Sequence, residues 1–187
     1  MDTITIIFLL FVLFQVVRTF VIKPTPIETP PSIQKAGTLD DFTTLLASND
    51  SVVIDFYADW CGPCRAIAPI FASLSEAHST PGKLAFAKVN ADNAGAKDIV
   101  AKYDVHGLPS FLIFRKGENT GVKVDGYGAN SANRAAIVDD EGRVVRIRGA
   151  DKKALEAVVK ALVIEEGLPL EGAPKATKVK EDEKKKE

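Results

Sequence analysis

From Thr3 to Ile22 the chain reads TITIIFLLFVLFQVVRTFVI, with Arg18 as its only charge. Twenty helical residues at about 1.5 Å each reach about 30 Å, the thickness of a bilayer's hydrocarbon core. The run lacks the polar face of a core helix, so it is expected to be a membrane anchor. A cleaved secretory signal wants positive charge before the apolar run and small residues after it. Here Asp2 precedes the run and Lys23-Pro24-Thr25-Pro26 follows. A mitochondrial presequence would be amphipathic and Arg-rich. Cleavage as a targeting segment is the alternative to the anchor.

Beyond residue 22 the pattern changes twice more. Lys23–Ser32 is Pro-rich and reads as an extended linker, because each proline fixes φ and removes a donor. Gly167–Glu187 ends in KVKEDEKKKE, a charged tail expected to be solvated and disordered. Residues 33–166 alternate strand and helix signals. Thr38 is set to cap a helix whose first turn holds Asp40 and Asp41. Ser51–Tyr57 is a buried strand interrupted by one acid, Asp55. Ile67, Ile70, Phe71 and Leu74 form a helical stripe within Arg65–His78. Leu84–Val89 and Ser110–Phe114 are further strands, with a short helix at Ala94–Tyr103 between them. Arg143–Arg148 alternates, as a strand near an edge does, and Asp151–Ile164 is a final helix. Strands alternating with helices imply an α/β domain, a sheet covered by helices on both faces.

Composition narrows the function. A net charge of −1 offers no broad basic surface for phosphates, so no nucleic-acid partner is expected. The two cysteines, Cys61 and Cys64, are too close together to staple distant parts of the chain. A zinc half-site would need two more ligands, and His78 and His106 have no metal-like spacing, so no metal is expected. Two inert buried thiols would make the spacing a coincidence. A redox dithiol fits better: residues three apart on a first helical turn are neighbours, and the helix N-terminus favours a thiolate. Cys61 is then the attacking thiol, and Cys64, one turn inside, resolves the mixed disulfide. Gly62 admits a partner backbone, and Pro63 sits where its missing N–H costs nothing. Asp55 is either a solvent-facing strand acid or a buried proton acceptor beneath the dithiol, with Lys88 on the neighbouring strand to tune it. Sterics alone permit a trans Pro109 at its strand's first position; a cis bond would be a fixed architectural feature.

The strings Phe56-Tyr57-Ala58-Asp59-Trp60-Cys61-Gly62-Pro63-Cys64-Arg65 and Val105-His106-Gly107-Leu108-Pro109-Ser110, with Pro69 and Lys88-Val89-Asn90-Ala91-Asp92, strongly resemble the thioredoxin family. The resemblance covers about Ile33–Glu118 and Arg143–Ile164. It implies a thioredoxin fold, a central mixed sheet of four to five strands flanked by helices on both faces. It also implies that Cys61 is the nucleophile, Cys64 the resolving thiol, Asp55 the buried acid and Lys88 its partner. Trp60, Leu108 and a cis Pro109 would form the substrate groove, and Pro69 would kink the active-site helix.

Residues 119–142 depart from that family. They follow a turn at Lys116-Gly117-Glu118 and read as a surface insert with one extra strand, ending in a hairpin turn at Asp139–Gly142. The expected activity is protein-disulfide reduction in cell redox homeostasis. No cofactor is expected to be bound; electrons would come from NADPH through thioredoxin reductase. That reductase and disulfide-containing proteins are the expected partners of a monomer. A secretory-pathway oxidoreductase or isomerase is disfavoured by Gly62-Pro63, because isomerases of this family usually carry His between the cysteines. A tethered adaptor that binds through the insert is disfavoured by the intact cysteine pair. Arg18 and Lys23 lie after the apolar run and Asp2 before it, so the positive-inside rule puts the domain on the cytosolic side of a membrane. A mitochondrial or soluble cytosolic location after cleavage is the alternative.

Overall fold

The computed structural model describes residues 3–20, 25–128 and 134–169. Five helices, α1 (Thr3–Phe20), α2 (Leu39–Ala47), α3 (Gly62–His78), α4 (Lys97–Lys102) and α5 (Lys152–Glu165), alternate with seven strands. The strands are β1 (Ile33–Lys35), β2 (Ser51–Tyr57), β3 (Leu84–Asn90), β4 (Ser110–Arg115), β5 (Val122–Lys123), β6 (Ala136–Val138) and β7 (Arg143–Arg148). The sheet order is β1-β3-β2-β4-β7-β5, with β6 also paired to β7. β3 pairs parallel with β1 and β2, and β4 and β7 add antiparallel, so the sheet is mixed as expected. It has seven strands rather than four or five. The surplus comes from β1, a three-residue strand the pattern did not signal, and from the insert.

Local chemistry sets the element ends. Thr38 Oγ1 accepts from Asp41 N while Asp41 Oδ2 accepts from Thr38 N, a complete capping box on α2. Asp151 Oδ1 caps α5 by accepting from Ala154 N at 2.9 Å. Strand alternation then divides the core in two. Val53, Phe86, Phe111, Ile113 and Ile147 face α3 and α5, while Val52, Ile54, Phe56, Leu112 and Phe114 face α2 and α4. Asp55 and Lys88 share the parity of Val53 and Phe86. They therefore lie on the face covered by α3.

The insert adds two short strands to the sheet where one is expected. Val122 and Lys123 pair with Val144 and Arg143, and Ala136–Val138 pair along Val144–Ile147 with a bulge between Ile137 and Val138. β7 is thus bonded on both sides and is not an edge strand. Asn119 Nδ2 donates to the Ile113 and Val145 carbonyls, binding the start of the insert to β4 and β7. The predicted turn before β7 is present: Asp139 Oδ1 accepts from the Glu141 and Arg143 amides, and Oδ2 from Arg143 Nε at 2.8 Å. Gly121 makes the close approach possible. Its φ is +63°, and a Cβ there would overlap the Val144 carbonyl. Gly121→Ala is therefore expected to cost about 3 kcal/mol and lower the melting temperature by about 10 °C. Gly142→Ala, at φ +73° but in open space, should lose far less. Equal thermal shifts for the two would mean that the insert is not held against β7.

The predicted membrane span has no support. Among the described residues no helix is long and apolar enough to cross a membrane. The helix α1 has 18 residues, about 27 Å, and its apolar side chains such as Phe8, Leu10 and Phe14 are exposed. Val21 and Ile22 of the expected span, Lys23 and Pro24 of the linker, residues 129–133 of the insert and residues 170–187 of the tail lie outside the described residues.

Candidate active site

β2 ends at Tyr57, and the chain turns through Ala58-Asp59-Trp60 into α3. Cys61 is the N-cap of that helix, and its Sγ accepts from the Cys64 amide at 3.2 Å. The two sulfurs are joined in a disulfide with Cα atoms 5.2 Å apart. Gly62 and Pro63 are exposed and occupy the first turn, where the helix has amides without helical partners. Cys64 is wholly buried and Cys61 nearly so, at 0% and 4% exposure. Tyr57 and Ala58 complete this buried group. Pro69 lies inside α3 as expected.

Beside the disulfide stands Trp60, 65% exposed and held by a 2.7 Å bond from its Nε1 to Asp92 Oδ2. Leu108 packs on the cysteine group, and the Leu108–Pro109 bond is cis. Three contacts hold this loop. Ser110 Oγ donates to the Gly107 carbonyl at 2.7 Å, Gly149 N–H donates to the Pro109 carbonyl at 2.8 Å, and the Arg146 guanidinium binds the Tyr103 and Asp104 carbonyls. His106, exposed on the same loop, forms a 2.6 Å contact with Asp104.

Beneath the helix, Asp55 and Lys88 are directly paired in register, both buried. Their closest approach, Lys88 Nζ to Asp55 Oδ2, is 3.7 Å, an electrostatic contact longer than a hydrogen bond. Neither Asp55 carboxylate oxygen has a hydrogen-bond partner. Burial accordingly pushes the Asp55 pKa up to about 7, with the Lys88 charge opposing. Burial also lowers the Lys88 pKa, against the pull of Asp55. The solvent-facing alternative for Asp55 is thereby excluded. Lys88 Nζ also stands 5.0 Å from the Tyr57 ring centroid.

Cys61, Cys64 and Leu108 thus lie together beside Tyr57 at the end of β2, with Asp55 and Lys88 paired on the sheet face covered by α3. Three supporting residues were missed as participants. Asp92 anchors Trp60. Asp59 and Arg65 tie the turn to residues Thr25 and Ile27, more than thirty positions away. The only signal for Asp59 and Arg65 was their place within the motif string.

A disulfide at a helix N-terminus, beside an exposed tryptophan and a cis-proline loop and on the sheet face that also holds a buried carboxylate, is the arrangement of a thiol–disulfide oxidoreductase. The comparisons carry this to a family. The thioredoxin family model matches residues 34–140. A thioredoxin of Neurospora crassa is 38% identical over 122 residues, covering 63% of this chain and 93% of that protein. One of Mycoplasma pneumoniae is 44% identical over 86 residues, covering 46% and 79%. The solved structure of a Malassezia sympodialis thioredoxin matches with TM-score 0.50 at 26% identity, covering 74% of this chain and 96% of that one. A mutant thioredoxin of Entamoeba histolytica matches with TM-score 0.50 at 29% identity, covering 68% and 97%. The chain belongs to the thioredoxin family.

Proposed function

We propose that this protein is a protein-disulfide reductase in which Cys61 attacks and Cys64 resolves. The observation that carries the reading is the asymmetry of the pair: Cys61 caps the helix beside exposed Trp60, while Cys64 is one turn inside and sealed. In the reduced protein the Cys61 thiolate attacks one sulfur of a substrate disulfide. A mixed disulfide forms and one substrate thiolate leaves. Cys64 then loses its proton, attacks Cys61 Sγ and displaces the second substrate thiolate, which leaves the disulfide seen here. The substrate gains two electrons and the protein loses two.

Asp55 is the proton acceptor for Cys64. Its position on the α3 face, its unpartnered oxygens and a pKa of about 7 suit it to take a proton near neutrality. Lys88 keeps that pKa from rising further. Trp60, Leu108 and the cis Pro109 border the groove in which an extended substrate segment would lie. Re-reduction would draw on NADPH through thioredoxin reductase, as the family implies, with the protein acting as a monomer in cell redox homeostasis. Insulin supplies the test. With dithiothreitol, or with NADPH and thioredoxin reductase, the full chain should precipitate insulin B chains at neutral pH. NADPH consumption should match the disulfides reduced one to one. No precipitation above the dithiothreitol-only rate would overturn the reading in favour of a non-reducing role.

A further inference from the structure

Residues 25–30 were expected to be part of a linker. They form no helix or strand, yet they lie along α3 and are fastened at both ends. Arg65 fastens the first end. Its Nε and Nη2 donate to the Asp59 carbonyl at 2.9 and 2.6 Å, while Nη1 and Nη2 reach the hydroxyl and carbonyl of Thr25. One guanidinium therefore bridges the turn that carries Trp60 and Cys61 to the segment before β1. The Ile27 amide adds a charge-assisted bond of 3.0 Å to Asp59 Oδ1, and Asp59 Oδ2 is 3.4 Å from Asn90 Nδ2. At the far end Ile33 N–H donates to the Pro30 carbonyl, and Ser32 Oγ meets the Oγ of buried Ser75 at 2.7 Å. Pro26 and Pro30 restrict the segment before it docks, which lowers the entropy lost on docking.

What this fastening positions is the side chain of Ile27. It packs, half-buried, on the group of Tyr57, Ala58, Cys61 and Cys64, which Leu108 also covers. The groove beside it is lined by residues 25–30 together with Arg65, Ala68 and Pro69 of α3. The family match starts only at residue 34, so this segment lies upstream of the matched region.

We propose that residues 25–30 are a strap belonging to the redox site, clamped by Arg65 and Asp59 so that Ile27 shields Cys64 and leaves Cys61 as the sulfur a partner can reach. The inference rests on the assignment of Cys61 and Cys64 above and deepens it. Ile27 and Arg65 are positioning residues, because they act through the cysteines. A dithiol whose two sulfurs were equally open would form mixed disulfides on either, and one on Cys64 would leave the resolving thiol consumed. An arginine is needed at 65, since a lysine ammonium has no planar fork with which to hold two carbonyls in fixed directions.

The test is site-resolved alkylation of the reduced full chain. Brief iodoacetamide pulses are followed by fragmentation mass spectrometry that separates Cys61 from Cys64. The unaltered chain should be labelled at Cys61 well before Cys64. Ile27→Asp, which sets a carboxylate beside Asp59, and Arg65→Gln should each raise Cys64 labelling about tenfold, as release of a local shield does. Ile27→Leu should retain the unaltered ratio. Hydrogen exchange of β2 and β4 amides is followed in parallel and should stay the same in every variant. Unchanged Cys64 labelling in both altered chains would overturn the strap. So would a rise matched by equal loss of protection in β2 and β4, which would mean that these residues merely support the fold. Cys64 labelled ahead of Cys61 in the unaltered chain would instead overturn the assignment of sulfur roles, and the strap with it.

Discussion

Cys61→Ser is expected to lower insulin-disulfide reduction by at least about a thousandfold, because a serine hydroxyl is not ionised near neutral pH and cannot displace a thiolate. Cys64→Ser should behave differently. Cys61 keeps its position at the head of α3 and still attacks, but nothing then resolves the adduct. The Cys64→Ser chain should accumulate a mixed disulfide on Cys61, visible as a mass increase that dithiothreitol removes, and should turn over at most once. The two phenotypes come from a single helical turn: one sulfur accepts the Cys64 amide bond at the cap, and the other is completely enclosed. Trapped adducts on Cys64 in the Cys61→Ser chain, with none on Cys61 in the Cys64→Ser chain, would reverse the roles.

The second large effect belongs to Asp55. Asp55→Asn should slow resolution of the mixed disulfide by about a hundredfold at pH 7, the scale of a lost general base. The gap should narrow at higher pH, where Cys64 ionises without help. In the unaltered protein the resolution rate should rise as pH passes through about 7, as Asp55 gives up its proton, and Asp55→Asn should lack that rise. Stability moves the opposite way. The folded-state pKa is raised above its ordinary value of 3.8, so the folded chain binds the proton more tightly than the unfolded chain does. That contribution is fully present below about pH 4 and is lost as pH rises to about 7. Above pH 7 the carboxylate is a buried charge with no hydrogen bond, and its removal should stabilise the fold by about 1–3 kcal/mol. Lys88 sets the lower end of that range. It loses its partner in the variant, but burial already lowers its pKa, so it can give up its proton instead of remaining a lone buried cation. Urea melts at pH 4 and pH 8 check the sign. A variant that is less stable at pH 8 would show that the Asp55–Lys88 attraction outweighs the desolvation of both groups.

Much of this was legible without coordinates. The Thr38 cap, the buried run Ser51–Tyr57 and the helix opening at the cysteine pair are decided by neighbours in sequence. Asp55 and Lys88 could be placed together because they fall on neighbouring strands and match the family's buried acid and its lysine partner; β2 and β3 pair them directly. The short strands were not legible. β1, β5 and β6 have three, two and three residues. Segments so short carry no period of their own and become strands only because an existing edge pairs them. The strap escaped notice for a related reason. Its proline content indicates a linker, but its attachment depends on Asp59 and Arg65, 32 and 40 positions downstream of their partners. Length and apolarity of Thr3–Ile22 led to the membrane expectation, yet among the described residues no helix is long and apolar enough to cross a membrane.

The pairing of β6 along β7 has a consequence for how copies of this chain behave at high concentration. With the hairpin of the insert in place, the long, alternating RVVRIR strand presents no open row of amides and carbonyls to a second molecule. The rim that remains is three residues long and broken by a bulge between Ile137 and Val138, a poor template for strand addition between chains. On this side of the sheet the insert thereby leaves little edge for the strand of another copy to join, and the opposite edge, β1, is equally short.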